Sequence, residues 1–151
     1  MDYDKINWDQ YFHSICLTVS SKSPCLSRHI GVVLARDHSI LSTGYNGPPR
    51  GVPHCEDICP RKLLGYRSGT HLELCPAQHA ETNAVANAAR LGVSVLGSTL
   101  YMNCILPCKN CFGSLINAGI AEIVVDDTKV YDKYTRFLIS NSTINIRRFE
   151  L

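Results

Sequence analysis

Two short segments, His79-Ala80-Glu81 and Pro107-Cys108-Lys109-Asn110-Cys111, constrain this chain more than any other feature. Imidazole and thiolate together suit zinc, which favours tetrahedral sites of nitrogen and sulfur. A fold that uses both segments must bring two distant stretches to one point and start a helix at each. Cys108 and Cys111 stand three apart, so on a first helical turn both sulfurs face one ion. A helix N-terminus also lowers the cost of the thiolates. His79 and Glu81 stand only two apart and would diverge by about 200° inside a helix of 3.6 residues per turn. The helix after them therefore begins at or near His79, where cap backbone is not yet helical. Three protein ligands leave the fourth zinc position for water, as catalytic sites do. Zinc lowers the pKa of that water to about 7, and Glu81 is the carboxylate suited to move its protons.

A structural zinc module competes with this reading, but it would close the shell with a fourth protein ligand. No adjacent fourth Cys or His stands beside either segment, and Glu81 does. At 151 residues the chain is expected to form one domain, residues 1–151, with a proper core. An apolar fraction of 45% and a charged fraction of 19% exclude a disordered chain. Fifteen basic against 13 acidic residues give +2, too weak to imply a nucleic-acid polymer as partner. A small anionic substrate met by a few arginines is compatible with it. No apolar run is long enough to span a membrane, and the acidic start MDYDKINWDQYF is unlike a signal peptide, so a cytoplasmic location is expected. In that setting eight cysteines indicate metal ligation before disulfides. Cys16 and Cys104 lie in apolar surroundings and are expected in the core.

The apolar spacing of Trp8, Phe12, Ile15, Cys16 and Val19 predicts a helix over residues 8–21. Residues 30–35 and 40–43 form a hairpin joined by Arg36-Asp37-His38-Ser39. Residues 44–76, rich in Gly, Pro, Cys and His, show no period, and a long irregular stretch of this kind is usually functional or metal-pinned. After His79, Ala80, Ala84, Ala88 and Leu91 make a small-residue stripe that would lie close to a sheet, ending before Gly92. A strand over 98–103, a helix from Pro107 to about Ala118 stopped by Gly119, a strand over 120–125, a helix over 131–139 and a strand over 144–147 complete the order αββ-loop-αβαβαβ. The fold class is α/β.

The spacing H-x-E…P-C-x-x-C is that of zinc-dependent nucleobase deaminases. With Gly44-Tyr45-Asn46-Gly47-Pro48-Pro49-Arg50-Gly51 and His79-Ala80-Glu81-Thr82-Asn83-Ala84, the chain resembles the deoxycytidylate (dCMP) deaminase family over about residues 10–127. The resemblance implies a cytidine-deaminase-like three-layer sandwich, a five-stranded mixed sheet with helices on both faces. It implies hydrolysis of dCMP to dUMP, with Glu81 catalytic and His79, Cys108 and Cys111 on the zinc. It implies a sugar contact from Asn46, which is equally a turn residue beside Gly47. Asn83 would help shape the site, or equally serve as a polar first-turn residue. Tyr45, Asn46, Gly47, Arg50 and Gly51 would border a pocket for the effectors dCTP and dTTP with Mg2+, in a homo-oligomer that in this family is often a hexamer. Some members carry a second, structural zinc, and Cys25 and Cys55 occupy two of its ligand places; Cys59 and Cys75 would complete four thiolates, with His71 as a rival ligand.

For a monophosphate, Arg50, Arg61, Lys62, Arg67 and Lys109 are the candidate holders. His13, His29, His38 and His54 show no ligand pattern and read as surface or locally hydrogen-bonded side chains. Rivals are a tRNA adenosine deaminase, which would need a broad basic face, another nucleobase or nucleoside deaminase, and a zinc-stapled binding module without activity. Turnover by the wild type separates the last from the enzymes.

Overall fold

The computed structural model describes residues 4–151. Helix α1 (Trp8–Ser20) starts from a capping box in which Asn7 and Gln10 exchange side-chain bonds with each other's backbone N–H. Strands β1 (Gly31–Arg36) and β2 (Ser39–Tyr45) pair antiparallel. Their link places Asp37 and His38 at φ 50° and 60°, the left-handed pair that matches strand twist in a tight hairpin. Residues 46–78 hold only helix α2 (Pro60–Leu63) and a single 3-10 turn at Leu72–Leu74. Helix α3 (Ala80–Arg90), strand β3 (Thr99–Ile105), helix α4 (Lys109–Asn117), strand β4 (Glu122–Asp127), helix α5 (Thr135–Ser140) and strand β5 (Asn145–Arg148) follow.

The five strands lie in the order β2-β1-β3-β4-β5, with β3, β4 and β5 parallel and β1 antiparallel to both neighbours. The mixed sheet expected from the resemblance is present. Period-two alternation sends Val32, Leu34, Leu100, Met102, Ile123 and Val125 to one face, under the alanines of α3 and Phe112 and Leu115 of α4. Val33, Ala35, Tyr101 and Val124 face the other way, onto Phe12 and Cys16 of α1. Both sheet faces are covered, which is why β1 is a near-continuous apolar run.

The small stripe seats α3 directly on β2. A Cβ on Gly44 would stand 2.4 Å from the Ala80 carbonyl oxygen and 2.4 Å from the Ala84 nitrogen, both backbone atoms with no freedom to rotate away. Ser42 donates to the Ala84 carbonyl, while Asn83 and Asn87 donate to the Tyr45 and Thr43 carbonyls, each at 2.8 Å. Gly44→Ala must therefore push α3 off the sheet. The expected cost is about 2–4 kcal/mol, in the range of overpacking and strain, read as a lower midpoint in urea. Because His79 and Glu81 open that helix, zinc affinity should fall with it.

Three expectations need correction. Leu91 does not join the buried stripe; it is 73% exposed, because α3 ends there and Gly92 turns the chain at φ 71°. The last helix starts at Thr135 rather than Tyr131, since Asp132 Oδ1 takes the N–H groups of Tyr134 and Thr135 and holds residues 132–135 in a turn. Cys104 is only half-buried: it packs against the core but also lines the cavity described below. Cys16 is fully buried, as expected. The last strand is displaced by one residue at each end. Among the described residues no helix is long and apolar enough to cross a membrane.

Candidate metal centre

His79 is the N-cap of α3, with extended backbone at φ −68° and ψ 151°. Cys108 is the N-cap of α4 at φ −64° and ψ 164°, and Cys111 lies in the same first turn. The two helix starts meet at the C-terminal end of β3, where the chain leaves the sheet through Leu106 and Pro107. His79 Nδ1 stands 3.5 Å from Cys108 Sγ and 3.3 Å from Cys111 Sγ. All three ligand atoms lie within 4.8 Å of one another. A tetrahedral zinc with bonds of about 2.0–2.1 Å to nitrogen and 2.3 Å to sulfur sets N···S at about 3.5 Å. The donor types and both N···S distances fit zinc.

Protons are contested at this point. Hydrogen bonding from Cys111 holds the Cys108 thiol well below the ordinary range, and the same bond pushes Cys111 up. The hydrogen bond to Cys108 raises His79, against the effect of burial. A cation that displaces these shared protons satisfies all three donors at once. Glu81 is 5% exposed. Burial raises its carboxyl above the usual carboxylate range, opposed by its own backbone N–H and the nearby imidazole. Its carboxylate is outside that three-atom cluster, while its side chain lines the same cavity as His79 and Cys108. A non-ligand carboxyl of raised pKa can both take and return a proton near neutrality.

The centre opens into a cavity of about 150 Å3 whose walls include Asn46, Arg61, Glu81, Cys104, Leu106 and Tyr131. A wider hollow beside it shares His79, Cys108 and Tyr131 and adds Lys109 and Asp132. Asn46 is buried in the cavity wall, its Oδ1 accepting from Ile30 N and its Nδ2 donating to the Arg28 carbonyl, both at 2.9 Å. Asn83 is not in the wall of either space; its amide is bound to the Tyr45 carbonyl, so it secures α3 to β2. Tyr45, Arg50 and Gly51 are exposed, and Gly47 exchanges backbone hydrogen bonds with Gln78. Arg50 donates to Asn87 in a separate surface groove that also holds Arg90.

Cys25, Cys55, Cys59 and Cys75 share one electrostatic neighbourhood. The Cys55 thiol is raised by burial and then by its proximity to Cys75, Cys25 and Cys59. Among the described residues, however, only His79, Cys108 and Cys111 come together within reach of one ion. His71 stacks on the Tyr66 ring at 3.6 Å. The other histidines have local partners: His13 with Asp126, His29 with the Cys25 carbonyl, His54 with Glu56, and His38 stacked on Trp8. The sequence reading missed Arg28, Tyr131 and Asp132. Asp132 Oδ2 accepts from Lys109 N at 2.9 Å and so caps the helix that carries both cysteines. Its one local signal is Thr135 three residues on, which marks a turn and not the distant helix that it also caps.

The family model for the cytidine and deoxycytidylate deaminase zinc-binding region matches residues 6–126. A deoxycytidylate deaminase of Schizosaccharomyces pombe is 33% identical over 145 residues, 95% of this chain and 44% of that protein. One from Mycobacterium phage D29 is 35% identical over 125 residues, covering 78% of this chain and 93% of its own length. The chain thus spans less than half of the S. pombe relative, and 45% of a deoxycytidylate deaminase from Saccharomyces cerevisiae. Among solved structures, the dCMP deaminase of cyanophage S-TIM5 in complex with dCMP and dUMP superposes with a TM-score of 0.76 at 21% identity, covering 97% of this chain and 99% of that one. At that identity the likeness speaks for the fold.

Proposed function

Because the chain belongs to the cytidine and deoxycytidylate deaminase family, we propose that it is a zinc hydrolase converting dCMP and water to dUMP and ammonia. The observation that carries this reading is the buried, non-ligand Glu81 beside a set of three protein ligands. A structural site would use its fourth position on the protein. When bound, zinc supplies Lewis acidity and acidifies a coordinated water toward neutrality. His79, Cys108 and Cys111 would hold the ion. Glu81 would take a proton from that water as the water oxygen bonds to the amine-bearing carbon and pass the proton to the adjacent ring nitrogen; it would then carry the new hydroxyl's proton to the amine, so that the C–N bond breaks and ammonia leaves. The apolar walls, Met102 and Leu106 among them, exclude bulk water and strengthen these charge effects.

Relatives named deoxycytidylate deaminase support dCMP as the substrate. The test is ammonia release by the zinc-loaded protein offered dCMP, CMP, deoxycytidine and adenosine. Preference for dCMP is expected; turnover of another of these alone would move the substrate while keeping the chemistry.

Cys25, Cys55, Cys59 and Cys75 are the ligands we assign to a second, structural zinc. The shared neighbourhood of their thiols and the scarcity of regular structure over residues 46–78 support this. A wild type holding two zinc ions per chain, against one in Cys55→Ser, is the expected result. The exposed side chains of Tyr45 and Arg50 and the groove holding Arg50 and Arg90 support control by dCTP and dTTP with Mg2+, tested by adding each to the same assay. Exposed apolar side chains such as Leu63, Leu91 and Leu96 support a homo-oligomer, which light scattering measures.

A further inference from the structure

We propose that Arg61 grips the 5′-phosphate monoester of the substrate and makes this cavity select a nucleotide over a nucleoside; the assignment rests on the deaminase reading above. The side chain is only 8% exposed and forms part of the same cavity wall as His79 and Glu81. Its Nε donates to the Thr70 carbonyl at 2.8 Å and its Nη2 to the Arg67 carbonyl at 3.1 Å. A guanidinium has five N–H donors, so these bonds leave three, including both on Nη1.

Arg61 has no carboxylate partner among the described residues. The acids in ion pairs there serve His13, His54 and Arg147. The contrast with Arg147 is direct, since that guanidinium is more exposed yet sits between Asp9 and Glu122. Burying a charge against carbonyl dipoles alone is costly, and the cost is recovered when an anion docks on the free donors. The two carbonyls also hold the guanidinium plane in place, which preorganises a forked contact to phosphate oxygens. Arg28 lines the same cavity and adds a second positive charge, so the two cations match the roughly −1.5 to −2 of a phosphate monoester near neutrality.

The other basic candidates fit less well. Arg50 lies in a separate groove. Lys62 and Arg67 are exposed and outside the cavity wall. Lys109 is exposed and borders only the neighbouring hollow. Cys25 and Cys75 also line the cavity, so the competing role for Arg61 is counter-charge to thiolates.

The experiment compares the zinc-loaded full chain with Arg61→Gln and Arg61→Lys on dCMP and on deoxycytidine. Binding of dUMP and of deoxyuridine is measured by calorimetry alongside. For Arg61→Gln we expect kcat/KM for dCMP to fall roughly 100-fold or more, mostly through KM, as for loss of a buried charge-assisted contact. Deoxycytidine should change by less than about threefold, and the affinity for dUMP should drop while that for deoxyuridine holds. Arg61→Lys, which keeps the charge, should recover part of the dCMP activity. Equal losses on both substrates, or a loss of bound zinc, would show a tether or a thiolate counter-charge and overturn the proposal. So would a wild type that binds dUMP no better than deoxyuridine. A wild type that deaminates neither compound, yet binds dUMP through Arg61, would uphold the anion site and sink the deaminase reading.

Discussion

Glu81→Gln should leave zinc fully bound and reduce deamination of dCMP by about 10²–10⁴-fold, the range for loss of a positioned acid–base group. Glutamine fills nearly the same volume, so the packing around this buried side chain is kept. It cannot carry a proton between water, ring nitrogen and amine. Because Glu81 is outside the three-atom ligand cluster, metal content should not change. Removing a buried carboxyl whose pKa is raised by desolvation should leave the thermal midpoint equal or slightly higher, as is common where a catalytic group is held at a cost in stability. Ammonia release and zinc analysis on the same preparation check both halves. A variant that keeps more than about a tenth of the activity would remove Glu81 from the proton path.

His79→Ala should lose the catalytic zinc together with turnover, to below roughly one-thousandth of wild type. His79 is exposed at the cap of α3 and contributes no core packing, so the fold should persist and the loss should be local. Chelation of the wild type should give the same inactive state, reversed by added zinc, whereas the variant should stay inactive. Cys108 and Cys111 would remain as a thiol pair three residues apart, too few donors for a three-ligand site. Zinc stoichiometry before and after chelation is the direct readout; a variant that regains activity with added zinc would show that the imidazole is dispensable.

The gathering of His79, Cys108 and Cys111 at two helix starts is legible in the sequence, because zinc geometry is a strong constraint on short spacings. The two-residue gap between His79 and Glu81 placed a helix start at His79, and α3 does begin there. The three-residue gap between Cys108 and Cys111 placed a second helix start, and α4 supplies it. The alanine stripe foretold a close helix–sheet approach, which Gly44 makes possible. Where the reading failed, distant partners decided the outcome. Asp132 caps α4 through Oδ2 and holds residues 132–135 in a turn through Oδ1, so that α5 starts at Thr135; periodicity in residues 131–139 carries no trace of the bond to α4. Asn83 sits in the first turn of α3, one of the two places its sequence context allows, while the partner of its amide, the Tyr45 carbonyl on β2, is a distant one. Arg61 was one of five basic candidates, and only its burial and the acids' other commitments set it apart. Such facts depend on tertiary neighbours, which residue type and spacing do not encode.

The most direct test is a crystal of the zinc-loaded protein measured on either side of the zinc absorption edge. An anomalous peak is expected between His79 Nδ1, Cys108 Sγ and Cys111 Sγ, with a solvent oxygen as fourth ligand and the Glu81 carboxyl alongside it. A fourth protein atom on that metal, or a Glu81 side chain turned away from the solvent oxygen, would contradict the account.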